Sequence, residues 1–209
     1  MEKFSKKEAL SFGWQKTKEN FPFFLGLLII AGIIYYFPSI MADRIKDSAK
    51  ILYVVISLAS AVVNWLIQLG LIRIFLKFCD AQKAKIADLF AEYRLLLKFI
   101  GATIIYSLIV LGGFILLIIP GIIWSVRFGF FSYLIVDKNM GVIESLKKSR
   151  EITKGATWEL LVFGLLTFLV ILLGVLALLV GLFAALPTAM LAWAFVYRRL
   201  LAASANPQI

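Results

Sequence analysis

Apolar residues arrive in long blocks separated by short polar intervals. The blocks cover about residues 21–41, 51–78, 95–136 and 158–197. At a helical rise of about 1.5 Å per residue, roughly 20 apolar residues cross a hydrocarbon core of about 30 Å. The first two blocks each read as one span. The third is about twice that length and must fold back. Pro120-Gly121 predicts its turn, because proline ends a hydrogen-bond ladder and glycine accepts positive φ. Pro187 marks the turn between a fifth span over 158–183 and a sixth ending near Tyr197-Arg198-Arg199. The pattern predicts an all-α polytopic membrane bundle of about six transmembrane helices, with 122–136 as its shortest arm and a frayed tail over 202–209.

The polar intervals have their own periodicity. Leu10, Trp14 and Phe21 lie on one helical face among Lys3, Lys6, Lys7, Lys16 and Lys18. Ile86, Leu89, Phe90 and Tyr93 form a second such face, against Lys83, Lys85, Asp88 and Glu92. In the third interval Ser145, Ser149 and Thr153 lie at i, i+4 and i+8, with Glu144 and Lys148 spaced for an ion pair. Each interval reads as an amphipathic surface helix leading into two spans. That predicts a threefold hairpin repeat, units 1–78, 79–137 and 138–209, within one membrane domain. At an offset of 136, Glu8-Ala9-Leu10 aligns with Glu144-Ser145-Leu146, Thr17-Lys18 with Thr153-Lys154, and Leu25 with Leu161. The middle unit fits more loosely. Chance likeness between simple amphipathic stretches is the competing explanation.

Composition agrees with the blocks: 62% of the 209 residues are hydrophobic and only 16% charged. A soluble domain carries about a quarter charged residues, and the short alternating segments of a membrane β-barrel are absent from the sequence. The net charge of +10 would suggest nucleic acid in a soluble chain. Here the cations cluster in the three amphipathic intervals and at Arg198-Arg199, while Arg44, Lys46 and Lys50 alone mark the other side. The bias predicts a cell-membrane protein with both termini in the cytoplasm and no nucleic-acid partner. Residues 1–20 lack a cleavable signal pattern. One cysteine, Cys79, and no histidine leave no intrachain disulfide, no Cys/His metal centre, no imidazole base and no expected cofactor.

The Pro120-Gly121 turn, the Arg127-bearing arm to Asp137, and Glu144-Ser145-Leu146 with Ser149 and Thr153-Lys154-Gly155 together resemble a prokaryotic family of six-span membrane proteins. That family includes YciC-type proteins and the membrane domain attached to some glycerophosphodiester phosphodiesterases. The resemblance covers nearly the whole chain and implies fold and location. It does not imply the phosphodiesterase activity, which in those relatives belongs to a soluble domain following the membrane domain.

Two sets of residues remain as candidate sites. Arg127 is a strong charge deep in a predicted span, where burial costs from about 2.5 kcal/mol upward. The second span carries Ser57, Asn64 and Gln68 on one stripe, suited to gluing helices or to satisfying Arg127. Lys147, Lys148, Arg150 and Lys154 are placed to gather anionic headgroups at about 1 kcal/mol per charge. Gly174, Ala177, Gly181 and Ala185 form a small-residue face for a helix of this chain, a second copy or another membrane protein. No catalytic constellation is legible. Three functions follow in order of support: a non-enzymatic protein that organises lipids or partners, a small permease or lipid transporter using Arg127 with the Ser57/Asn64/Gln68 stripe, and a membrane enzyme acting on lipid headgroups.

Overall fold

The computed structural model describes residues 3–46, 49–177 and 180–205. It is all-helical, with no strand among the described residues. The helices are α1 (Lys6–Glu19), α2 (Phe21–Ile45), α3 (Lys50–Cys79), α4 (Leu96–Leu116), α5 (Ile118–Phe128), α6 (Phe131–Lys138), α7 (Val142–Ile152), α8 (Thr157–Leu176) and α9 (Leu182–Ala205). Two short 3-10 turns, Ile86–Phe90 and Tyr93–Leu95, precede α4. Among the described residues, five stretches are long and apolar enough to cross a membrane: α2, α3, the segment ending in α4, the α5–α6 arm, and α8. Helix α9 is less apolar because Pro187, Thr188, Trp193, Tyr197 and two arginines dilute it. It is also the bundle's centre, where protein rather than lipid surrounds it.

The elements pack cyclically. Each leading polar segment lies on the second arm of the hairpin before it. The Ile86–Phe90 turn lies on α3, α7 on the α5–α6 arm, and α1 closes the ring on α9. First arms repeat the rule: α4 touches α3, α8 touches α5, and α2 touches α9. The second arms meet inside, where the rings of Phe130 and Tyr133 stack on Tyr197 at 6.2 and 5.3 Å. Phe24, Phe75, Phe163, Leu134 and Ile135 fill the remaining core.

Several local expectations need correction. The third block turns at Leu117, which is extended (φ −166°, ψ 153°), and not at Pro120-Gly121. Pro120 instead occupies the first turn of α5, where its missing N–H has no helical acceptor to lose. Gly121 serves close approach: a Cβ there would lie 2.5 Å from the Phe114 ring. Pro187 lies inside α9, which begins at Leu182, and so does not mark the last turn. Leu178 and Leu179, expected in the fifth span, lie outside the described residues.

The small-residue face is thereby explained. Gly174 is on α8, Gly181 in the turn and Ala185 on α9, and a Cβ on Gly174 would come within 2.7 Å of that of Ala185. It is the hairpin's own seam. The 79–93 segment forms 3-10 turns with only Leu89 of its four apolar residues buried. Glu144 accepts the Gly141 N–H (3.1 Å), while Lys148 pairs with Glu151 (2.6 Å), so no Glu144–Lys148 pair forms. Helix α9 continues to Ala205, leaving only 206–209 of the expected tail outside the described residues.

On α1 the packed face is Ala9, Gly13 and Thr17, and Trp14 points outward beneath Lys18. At the offset of 136 these three correspond to Ser145, Ser149 and Thr153, the buried face of α7.

Candidate anion site at the α5–α6 break

The second arm of the middle hairpin is a broken helix. Helix α5 ends at Phe128, and α6 starts at Phe131. A break inside a bundle strands backbone groups that lipid does not satisfy. Helix α7 supplies the partners. The Ser149 hydroxyl donates to the Arg127 carbonyl (3.0 Å), and its oxygen accepts the Phe130 N–H (3.1 Å). The Thr153 hydroxyl lies 3.1 Å from the same carbonyl and 2.8 Å from that of Ser149. Short hydroxyl side chains at one face of α7 thus seal the break and bring α7 hard against it.

That docking places the Arg127 side chain beside the cationic face of α7. A cavity of about 460 Å³ is lined by Arg127, Lys147, Arg150, Glu151 and Lys154. A second, of about 370 Å³, is lined by Leu108, Ile109, Gly112, Trp124, Arg127, Phe128 and Arg150. The two share Arg127 and Arg150, so an open basic chamber, with Lys147, Arg150 and Lys154 exposed, adjoins an open apolar one. Arg127 Nε is buried with no hydrogen-bond partner among the described residues. Glu151 is occupied by Lys148, from outside the chamber, which leaves the chamber's four cations without an ion pair among the described residues.

Of the predicted residues, Arg127, Lys147, Arg150 and Lys154 come together, although they sit on two different polar and apolar segments. Lys148 does not line either chamber; its ammonium is held by Glu151. Ser57 and Asn64 line a separate cavity of about 210 Å³ with Ala42, Asp43, Tyr53, Ser60 and Ala61. It shares no lining residue with the Arg127 chambers. Gln68 is exposed on α3. Arg127 therefore does not meet the stripe, and Asn64 Oδ1 is itself buried without a partner among the described residues.

A second polar cluster was not legible beforehand. The second arms end in Asp80, Asp137 and Arg198, and these converge. Arg198 reaches Asp80 at 2.6 Å and Asp137 at 2.7 Å, and the buried Tyr197 hydroxyl donates to Asp137 at 2.9 Å. Two carboxylates sharing one fork-shaped cation favour fixed geometry over chemistry. The available signal was positional: each is the first charge after the apolar run of a second arm. Arg73–Glu92 (3.2 Å), Lys77–Asp88 (2.8 Å) and Arg199–Glu8 fasten the leading segments at the same end. No group of His, Cys, Asp and Glu among the described residues is arranged to hold a metal ion.

The fold and its apolar helices define a multi-pass membrane protein, built as an all-helical bundle with a basic chamber at one end. No family model, curated protein or solved structure matches the chain.

Proposed function

We propose that the chain is a non-enzymatic protein of the cell membrane that holds anionic lipid headgroups at its cytoplasmic face. The observation that carries this reading is the buried, unpartnered Arg127 Nε on a side chain that lines a chamber with three further unpaired cations. An isolated cation is costly at membrane depth, and a phosphate diester would supply both the counter-charge and the acceptors. The clustering of cations in the leading segments and at Arg198-Arg199 supports a cytoplasmic orientation for that end and both termini. Membership of the six-span family with YciC-type proteins belongs to the same proposal. A permease built on Arg127 with Ser57, Asn64 and Gln68 has less support, because those groups line separate cavities or none.

Native mass spectrometry after reconstitution tests the reading. Wild type is expected to retain phosphatidylglycerol in preference to phosphatidylethanolamine, and Arg127→Ala to lose that preference. Equal retention by both would remove Arg127 as a headgroup ligand. Labelling of Ser5→Cys from outside intact cells would overturn the orientation.

A further inference from the structure

We infer that the apolar chamber beside Arg127 is an acyl-chain slot, so that the site takes one whole anionic phospholipid entering sideways from the bilayer. The inference rests on the headgroup reading above and adds the chain to it. Two adjacent glycines on α4 carry the argument. Gly113 is there for contact: a Cβ would lie 2.8 Å from Gly121 Cα and 2.9 Å from the Trp124 ring, so it lets α4 and α5 touch. Gly112 has no such reason, since a Cβ there would meet nothing within 4 Å. Glycine in a helix interior is about 1 kcal/mol less favourable than alanine, and at Gly112 no close packing offsets it. What it does is keep open the chamber of about 370 Å³, within the roughly 300–1,000 Å³ of small-molecule sites.

The walls sort by chemistry. Leu108, Ile109, Phe128 and the ring of Trp124 offer mainly apolar surface, and Arg127 and Arg150 are shared with the basic chamber. Leu108, at the chamber's rim, is 63% exposed on the outer side of the bundle, so the slot faces the bilayer. An amphiphile with a negative head and an apolar tail matches that order of surfaces. A soluble anion would leave the apolar chamber unused, and a neutral lipid would leave Arg127 unpaired.

The test uses the full chain reconstituted in vesicles of equimolar phosphatidylglycerol and phosphatidylethanolamine, extracted mildly and weighed by native mass spectrometry. Gly112→Phe should fill the slot with all charges kept, cutting retained phosphatidylglycerol by about tenfold, equivalent to about 1.4 kcal/mol. Gly26→Phe, at another open helical glycine, should retain it as wild type does. Glycerol 3-phosphate in excess should fail to displace the lipid. Should Gly112→Phe not fold by circular dichroism, Leu108→Trp narrows the same slot from its rim. Wild-type retention by the slot variant, equal loss in Gly26→Phe, or full displacement by glycerol 3-phosphate would overturn the slot while leaving the headgroup reading standing. Wild-type retention by Arg127→Gln would overturn both.

Discussion

Two joints of the ring are built from corresponding residues and end up opposite in character. At one, α1 lies on α9; at the other, α7 lies on the α5–α6 arm. Thr188 and Arg127 occupy corresponding places, each ten residues before the charge that closes its second arm, Arg198 or Asp137. In the first joint Gly13 sits directly on the Thr188 carbonyl, and the Thr17 hydroxyl lies 3.2 Å from that of Thr188, whose proton goes to the Ala184 carbonyl. Nothing is left over. In the second joint Ser149 replaces glycine and Thr153 replaces Thr17, and both spend their hydroxyls on a broken helix. The arginine at that place is turned aside, with chambers on either side of it. One joint holds the bundle together. The other combines that task with a space lined by four cations.

The tight joint is the more sensitive to disruption. Gly13→Leu forces a side chain into the α9 backbone, and overpacking of this kind costs about 3 kcal/mol. The expected result is loss of the folded protein in detergent, read as the midpoint of urea- or SDS-driven unfolding. A near-wild-type midpoint would mean that α1 is not docked on α9. Next in size is Ser149→Ala, which leaves the buried Phe130 N–H and weakens the hold on the Arg127 carbonyl. The same unfolding measurement should register a loss of about 1–2 kcal/mol. Thr17→Ala removes a single interhelical hydrogen bond while Thr188 keeps its bond to the Ala184 carbonyl (2.7 Å). A change of about 0.6 kcal/mol is expected. If Thr17→Ala cost more than Ser149→Ala, the sealed joint would owe its stability to hydroxyls rather than to the glycine contact.

The block pattern carried most of the architecture, because span length and loop charge are set by the bilayer and by topology, both of which act on sequence directly. It was weakest where two local causes compete. Pro120 has the look of a turn but suits the first turn of a helix equally well, and only the extended Leu117 decides between them. Gly174, Ala177, Gly181 and Ala185 share helical spacing, yet a turn cuts through them. For the site, residue type found Arg127, Lys147, Arg150 and Lys154 separately. Their meeting depends on which leading segment docks on which arm, a long-range fact with no local signature. The pairing of Lys148 with Glu151 rather than Glu144 was a choice between two allowed helical spacings, settled when Glu144 capped Gly141. Gly112 and Gly113 are indistinguishable in sequence and opposite in surroundings.

On the proposed reading, anionic lipid binds at the α7 joint and not at the α1 joint. A ligand that binds only the native state stabilises it in proportion to occupancy. The direct measurement is the unfolding midpoint in neutral detergent with and without added phosphatidylglycerol, for wild type, Thr17→Ala and Arg127→Gln. The lipid is expected to raise the midpoint of wild type and Thr17→Ala equally and to leave Arg127→Gln where it was. An equal rise in Arg127→Gln would contradict that reading.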